Sequence, residues 1–151
     1  MRASKQLQFE RLSGTRIIAK LDVLDSIVWP QDRVILRFAP DEVYITPNQD
    51  PKGFFLANST IMQPKPLGSA LEVADPHAII ISEGAFSGAW VAERDALQLL
   101  EQFAEWEIPT QRPLFLQGSV AGIATKLWLA EEKVLFIVST PYADELQGRL
   151  S

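Results

Sequence analysis

From Ile123 to Leu129 the chain alternates: Ile123, Thr125, Leu127 and Leu129 interleave with Ala124, Lys126 and Trp128. A period of two puts each set on its own face, so this segment is predicted to be a half-buried strand. Residues 130–133 (Ala-Glu-Glu-Lys) supply a polar connection, and 134–138 (Val-Leu-Phe-Ile-Val) follow as an apolar run of strand length. Thr140 suits a helix N-cap and Pro141 the first helical position, where its missing N–H costs nothing. Asp144 and Glu145 would lie near the positive end of that helix, and Leu146 and Leu150 on its buried stripe.

Upstream, residues 33–46 (RVILRFAPDEVYIT) predict a second hairpin. Pro40 and Asp41 make the turn; Val34, Leu36 and Phe38 share one face, and Val43 and Ile45 lie on one face of the returning strand. Residues 78–82 (AIIIS) predict a buried strand, and 84–91 a turn followed by a further strand. Asp95 and Gln98 have the spacing of a capping box for a helix reaching about Glu105, with Ala96, Leu100 and Phe103 on one stripe. Pro109 and Pro113 end it before Leu114. The run from Thr15 (TRIIAKLDVL) reads as a strand start, with 24–29 ambiguous up to Pro30. Residues 1–14 are expected to be a tail or a short helix carrying Leu7 and Leu12, and 15–151 a single α+β domain. The predicted architecture is α+β, a largely antiparallel sheet with two or three helices packed on it.

One stretch resists this treatment. Residues 47–76 hold five of the ten prolines and no periodicity. They read as a long excursion, or as two short edge pieces around Phe54-Phe55-Leu56 and Leu71-Glu72-Val73. Adjacent Phe54 and Phe55 would point to opposite faces of an extended segment, so one ring is expected to remain available to a partner.

Composition narrows the classes. A chain of 151 residues, 47% hydrophobic and 22% charged, fits one ordinary globular domain. No apolar run approaches the roughly 20 residues of a membrane span, and the first residues lack a signal-peptide core, so a cytoplasmic protein is expected. Cysteine is absent, which excludes disulfides, thiolate nucleophiles and Cys-ligated metal. The net charge of −5, with fourteen scattered basic residues, argues against nucleic-acid and anionic-membrane binding.

Candidate chemistry is sparse. Gly84-Ala85-Phe86-Ser87-Gly88 approaches a nucleophile elbow, but its serine stands one place late and the one histidine, His77, sits beside Pro76. His77 lacks companions at metal-ligand spacing. The segment 118–122 (GSVAG) is neither a phosphate loop nor a dinucleotide fingerprint, and reads as close backbone approach or bending. Asp41 with Glu42, and Glu131 with Glu132, fall in solvated turns that rarely perturb a carboxylate. Trp106, before a helix-ending proline, and Trp128, opposite the core face of its strand, join Phe54 and Phe55 as candidate interaction residues.

Two of these segments resemble a known family. Residues 37–45 (RFAPDEVYI), with Gly118, Ala124-Thr125, the 134–138 strand and Tyr142-Ala143, are similar in kind and order to the sarcosine oxidase gamma subunit. That family is related to the folate-binding domain of the glycine-cleavage aminomethyltransferase. The family has Trp after Pro-Asp-Glu where this chain has Val43, and its Ser-Gly-x-x-Ala helix start appears only as Ser82-Glu83-Gly84-Ala85. The resemblance implies antiparallel sheets with flanking helices, and a subunit without catalytic residues. It carries neither folate nor flavin across, because no binding residue can be matched.

The expectation is a non-enzymatic assembly subunit or interaction module, with a protein partner or self-association and no cofactor. The alternative is a small-molecule-binding or one-carbon-transfer domain of the folate-binding type. Elemental analysis of the purified protein is expected to find no stoichiometric transition metal. One equivalent of zinc or iron, lost in His77→Ala, would overturn this.

Overall fold

A computed structural model describes residues 7–27, 29, 33–47 and 75–151. The class is α+β, with the described strands in two antiparallel sheets. Contacts divide the chain into two compact units, Met1–Leu12 with Gly84–Ser151, and Ser13–Glu83. The sequence reading draws its line at residue 14 instead, and treats 15–151 together.

The discontinuous unit holds β1 (Glu10–Arg11), β6 (Phe86–Ala92), β7 (Leu114–Val120), β8 (Ile123–Leu129) and β9 (Lys133–Ser139), in the order β1-β6-β9-β8-β7. Two helices join them, α2 (Glu93–Phe103) and α3 (Ala143–Leu150). The alternation read from the sequence has a direct outcome. Leu127, Leu129, Val134, Phe136 and Val138 form one core with Ala96, Leu99 and Leu100 of α2 and Leu146 and Leu150 of α3. Leu135 and Ile137 point to the opposite face and are buried too, so β9 is apolar on both sides. The β7–β8 connection is a two-residue turn, Ala121 at φ 52 and Gly122 at φ 83. Positive φ at both positions is what the right-handed twist of a tight hairpin selects.

Several boundaries differ from expectation. Residues 7–12 are not helical: Glu10 and Arg11 pair with Gly88 and Ser87. The Phe9 N–H donates to Gln147 Oε1 at 3.1 Å, and Leu7 enters the core. Pairing with β6 satisfies this backbone better than an isolated short helix can. Helix α2 begins at Glu93, two residues before the expected cap, with Asp95 inside its first turn. The Glu93 N–H donates to the Glu132 carbonyl at 3.1 Å, and its carboxylate meets Arg112 at 3.2 Å. Tertiary contacts thus replace a side-chain cap. Thr140 does not cap a helix either. It opens a 3-10 turn, Thr140–Tyr142, and its hydroxyl donates to the Gly84 carbonyl at 3.0 Å.

The continuous unit holds β2 (Gly14–Ile18), α1 (Leu21–Ser26), β3 (Arg33–Ala39), β4 (Glu42–Pro47) and β5 (Ile79–Glu83), with sheet order β3-β4-β2-β5. The hairpin around Pro40-Asp41 forms as read. Ile17, Val43 and Ile45 pack with Val23 and Leu24 of α1, so the run from Thr15 splits into strand and helix. On the other face Tyr44 is fully buried and stacks on Phe38, with ring centroids 5.1 Å apart. A Cβ on Gly14 would lie 2.0 Å from the Tyr44 hydroxyl, so β2 must start with glycine to admit that ring.

Leu146 is fully buried. Leu146→Ala should lower stability by about 2–5 kcal/mol, read as a denaturant-midpoint shift at constant m-value. An unchanged midpoint would mean that α3 contributes nothing to the core.

Candidate functional site

The structure gives no support to the elbow-like serine as a nucleophile. Ser87 Oγ is buried 3.0 Å from Thr140 Oγ1. Thr140 directs its own proton to Gly84, so the Ser87 hydroxyl is the donor of the pair. A threonine hydroxyl is no general base, and the arrangement serves to tie the start of β6 to the end of β9. Among the described residues no three His, Cys, Asp or Glu side chains gather as a metal-holding group. Glu42 is engaged with Arg16 at 3.3 Å. A hollow of about 430 Å³ is lined by Glu107, Ile108, Pro109, Thr110 and Gln111. Five consecutive loop residues offer no convergent polar groups from separate elements, which a small-molecule site requires.

The aromatic candidates separate. Phe54 and Phe55 lie outside the described residues. The Trp106 indole N–H donates to the Ser119 carbonyl at 2.9 Å, and its ring lies where a Cβ on Gly118 would stand, 2.8 Å away. Both its polar handle and one ring face are therefore engaged within the unit, and Gly118 has the close-approach role its sequence implied. Trp128 is half-buried on the sheet face opposite α2 and α3, across from Phe115 and Leu135. Lys133 Nζ sits 4.1 Å from the centroid of the Trp90 ring on the same face. The structure does not bring Trp106 and Trp128 together as one surface, because they belong to different faces of the unit.

A different surface stands out, and the sequence reading assigned its strand to a core. Residues 78–82 were expected to be a buried strand; β5 is instead at the edge among the described strands of its sheet. Its fractional exposures are 49% at Ile79 and 44% at Ile80. Ile79 pairs with Ile18 and Ile80 with Ile17, so the two exposed side chains lie on opposite faces of the sheet. Leu21, at the start of α1, is 51% exposed. A short apolar run without alternation cannot by itself distinguish a central strand from an edge, which is why the sequence missed it. A proline-rich stretch running directly into the isoleucines was the available signal.

One carboxylate assembles this corner. Asp75 accepts the Lys20 N–H through Oδ2 at 2.9 Å and the His77 N–H through Oδ1 at 3.0 Å. Its own carbonyl accepts from Ala78 at 3.0 Å. The chain entering β5 is thereby fastened to the residue preceding Leu21, at the end of the β2–β5 pair where Ile18 meets Ile79. The Lys20 amide, foremost, and then the His77 amide favour the charged carboxylate, and together they outweigh its burial and hold its pKa below the ordinary 3.8. The corner thus sets exposed apolar side chains beside a strand whose outer side has no partner among the described residues, with a carboxylate clamp behind it.

Comparison with known proteins locates the fold. No protein-family profile matches the sequence, and no curated protein matches it. The structure is similar to a chain of heterotetrameric sarcosine oxidase from Corynebacterium sp. U-96, solved in complex with pyrrole 2-carboxylate. The TM-score is 0.61 at 12% sequence identity, over 95% of this chain and 81% of that one. The likeness is one of fold.

Because the folded pKa of Asp75 is depressed, its contribution is full above 3.8 and is lost as pH falls through the lower folded value. Thermal midpoints of the protein and of Asp75→Asn should differ at neutral pH and converge through that acid window. A gap that stays constant on acidification would show that the ionised carboxylate is not what clamps the corner.

Proposed function

We propose that this protein is an assembly subunit whose partner binds at the corner formed by Leu21, Ile79 and Ile80. The observation that carries this reading is exposure. Large apolar side chains stand in solvent on both faces of one edge strand, whereas scattered single ones would need no explanation. The Asp75 clamp supports it, since a rigid docking edge loses less entropy on binding than a loose one. The fold likeness to a chain of a heterotetrameric enzyme supports it as well. A gamma-type subunit of such an assembly is the form this reading takes, without catalytic residues of its own. Trp128 is a secondary contact candidate, and Phe54 and Phe55 remain candidates on the ground of their adjacency.

A second reading is a small-molecule-binding domain of the folate-binding type. It is favoured by the same fold likeness and by no residue that can be matched. Saturable quenching of tryptophan fluorescence by tetrahydrofolate would support it over the first.

In extracts of its native cells, the tagged chain is expected to elute well above its 16.9 kDa. The combined Leu21→Lys and Ile79→Lys variant should lower that mass while leaving the circular dichroism unchanged. Elution of the parent as a lone chain would overturn the assembly reading.

A further inference from the structure

Sheet edges are hazards that proteins blunt with short strands, charges, bulges or a covering segment. Three of the four edges described here are blunted. β1 is two residues long, Glu10 and Arg11. The last residues of β7 are covered by the end of α2: Ala104 bridges Val120, the Ala121 N–H donates to the Phe103 carbonyl at 2.9 Å, and Trp106 bonds Ser119. β3 carries Arg33 and Arg37 and an irregular register between Arg37 and Ala39. Among the described residues β5 has neither a bulge nor a cover, and its one charged residue, Glu83, stands at its last position. Its register with β2 is unbroken over five pairs, from Gly14↔Glu83 to Ile18↔Ile79, and three isoleucines in succession carry no charge. Among the described residues nothing pairs with its outer side.

An edge left open in this way selects its occupant. A strand added beside β5 extends the sheet and must offer apolar side chains to both faces, since Ile79 and Ile80 are exposed on opposite ones. β5 itself meets that requirement. The run Ile79-Ile80-Ile81 is symmetric about its centre, so an antiparallel copy related by a two-fold axis at Ile80 sets apolar against apolar throughout. Ile80 then faces the partner's Ile80 on one side of the sheet, while Ile79 faces the partner's Ile81 on the other. The two four-stranded sheets become one of eight strands.

We infer that the occupant of the β5 edge is the β5 strand of a second copy, giving a two-fold dimer centred on Ile80. This rests on the assembly reading above and names its partner. Light scattering of the purified full chain at high micromolar concentration is expected to give twice 16.9 kDa. Because residue 80 faces itself, Ile80→Arg alone and Ile80→Glu alone should each give monomers, like charges being opposed across the axis. An equimolar mixture of the two should restore the dimer. Circular dichroism matching the parent shows that the variants fold, as substitution at a half-exposed position allows. Should the charged variants unfold, Ile80→Thr serves in their place, with dimer affinity expected to fall about tenfold or more.

A monomeric parent overturns the inference, as does a dimer indifferent to residue 80. So does a mixture that stays monomeric, which would place the two-fold elsewhere. A parent that is monomeric when pure, yet belongs to a Leu21-dependent complex in native extracts, sinks the second-copy inference alone. A lone chain in both settings sinks the assembly reading with it.

Discussion

The ladder between β6 and β9 is the constraint on which the discontinuous unit depends. It runs without interruption from Phe86↔Ser139 to Ala92↔Lys133 and joins segments about fifty residues apart in the chain. Strands β7, β8 and β9 form a local meander that needs only short turns, but the meander alone leaves one face of α2 without a floor. Pairing with β6 brings Ala89 beside Phe136 and completes the surface on which Ala96, Leu99 and Leu100 pack. Both ends of the ladder are fastened by bonds outside it. Thr140 donates its N–H to Ala85 and its hydroxyl to Gly84, and at the far end Glu93 donates to Glu132. With the ends fixed, a one-residue slip that would exchange the two faces of β9 is prevented locally as well as by the core.

What was legible in the sequence was what is decided locally. The hairpins around residues 40–41 and 130–133 follow from turn residues flanked by apolar runs, and both form where expected. Helix starts were misplaced because they are decided by distant groups. Ala92 has no side chain with which to cap α2, and the carbonyl that receives the first N–H belongs to Glu132. Thr140 has the right chemistry for a cap, but the same hydroxyl reaches Gly84. Residues 7–12 look helical only until a strand is available to pair with them.

The candidate site was hidden for a related reason. Three consecutive isoleucines are the pattern of a central strand, and no local rule says whether a second neighbour will be present. Trp106 attracted notice as an aromatic at a helix end, yet its ring fills the space above Gly118 and its N–H is satisfied. Asp75 has no pattern in the sequence that marks its role. It meets His77 through the backbone amide rather than the imidazole. A carboxylate accepting two backbone amides organises a turn, and leaves the adjoining strand to face solvent.

The interleaving of the two units along the chain bears on how the protein is made. Ser13–Glu83 is continuous, and everything its sheet requires has been synthesised by residue 83. The segment 7–12 precedes it and must wait for β6 and for α3, which lies more than a hundred residues later. On the ribosome, where N-terminal units fold first, the sheet bearing β5 can form while Leu7 and Phe9 are still without a core. The isoleucine edge is then presented on each nascent chain before the other unit exists. Neighbouring ribosomes on one message would hold such edges close together, so encounter between copies can begin before either chain is released.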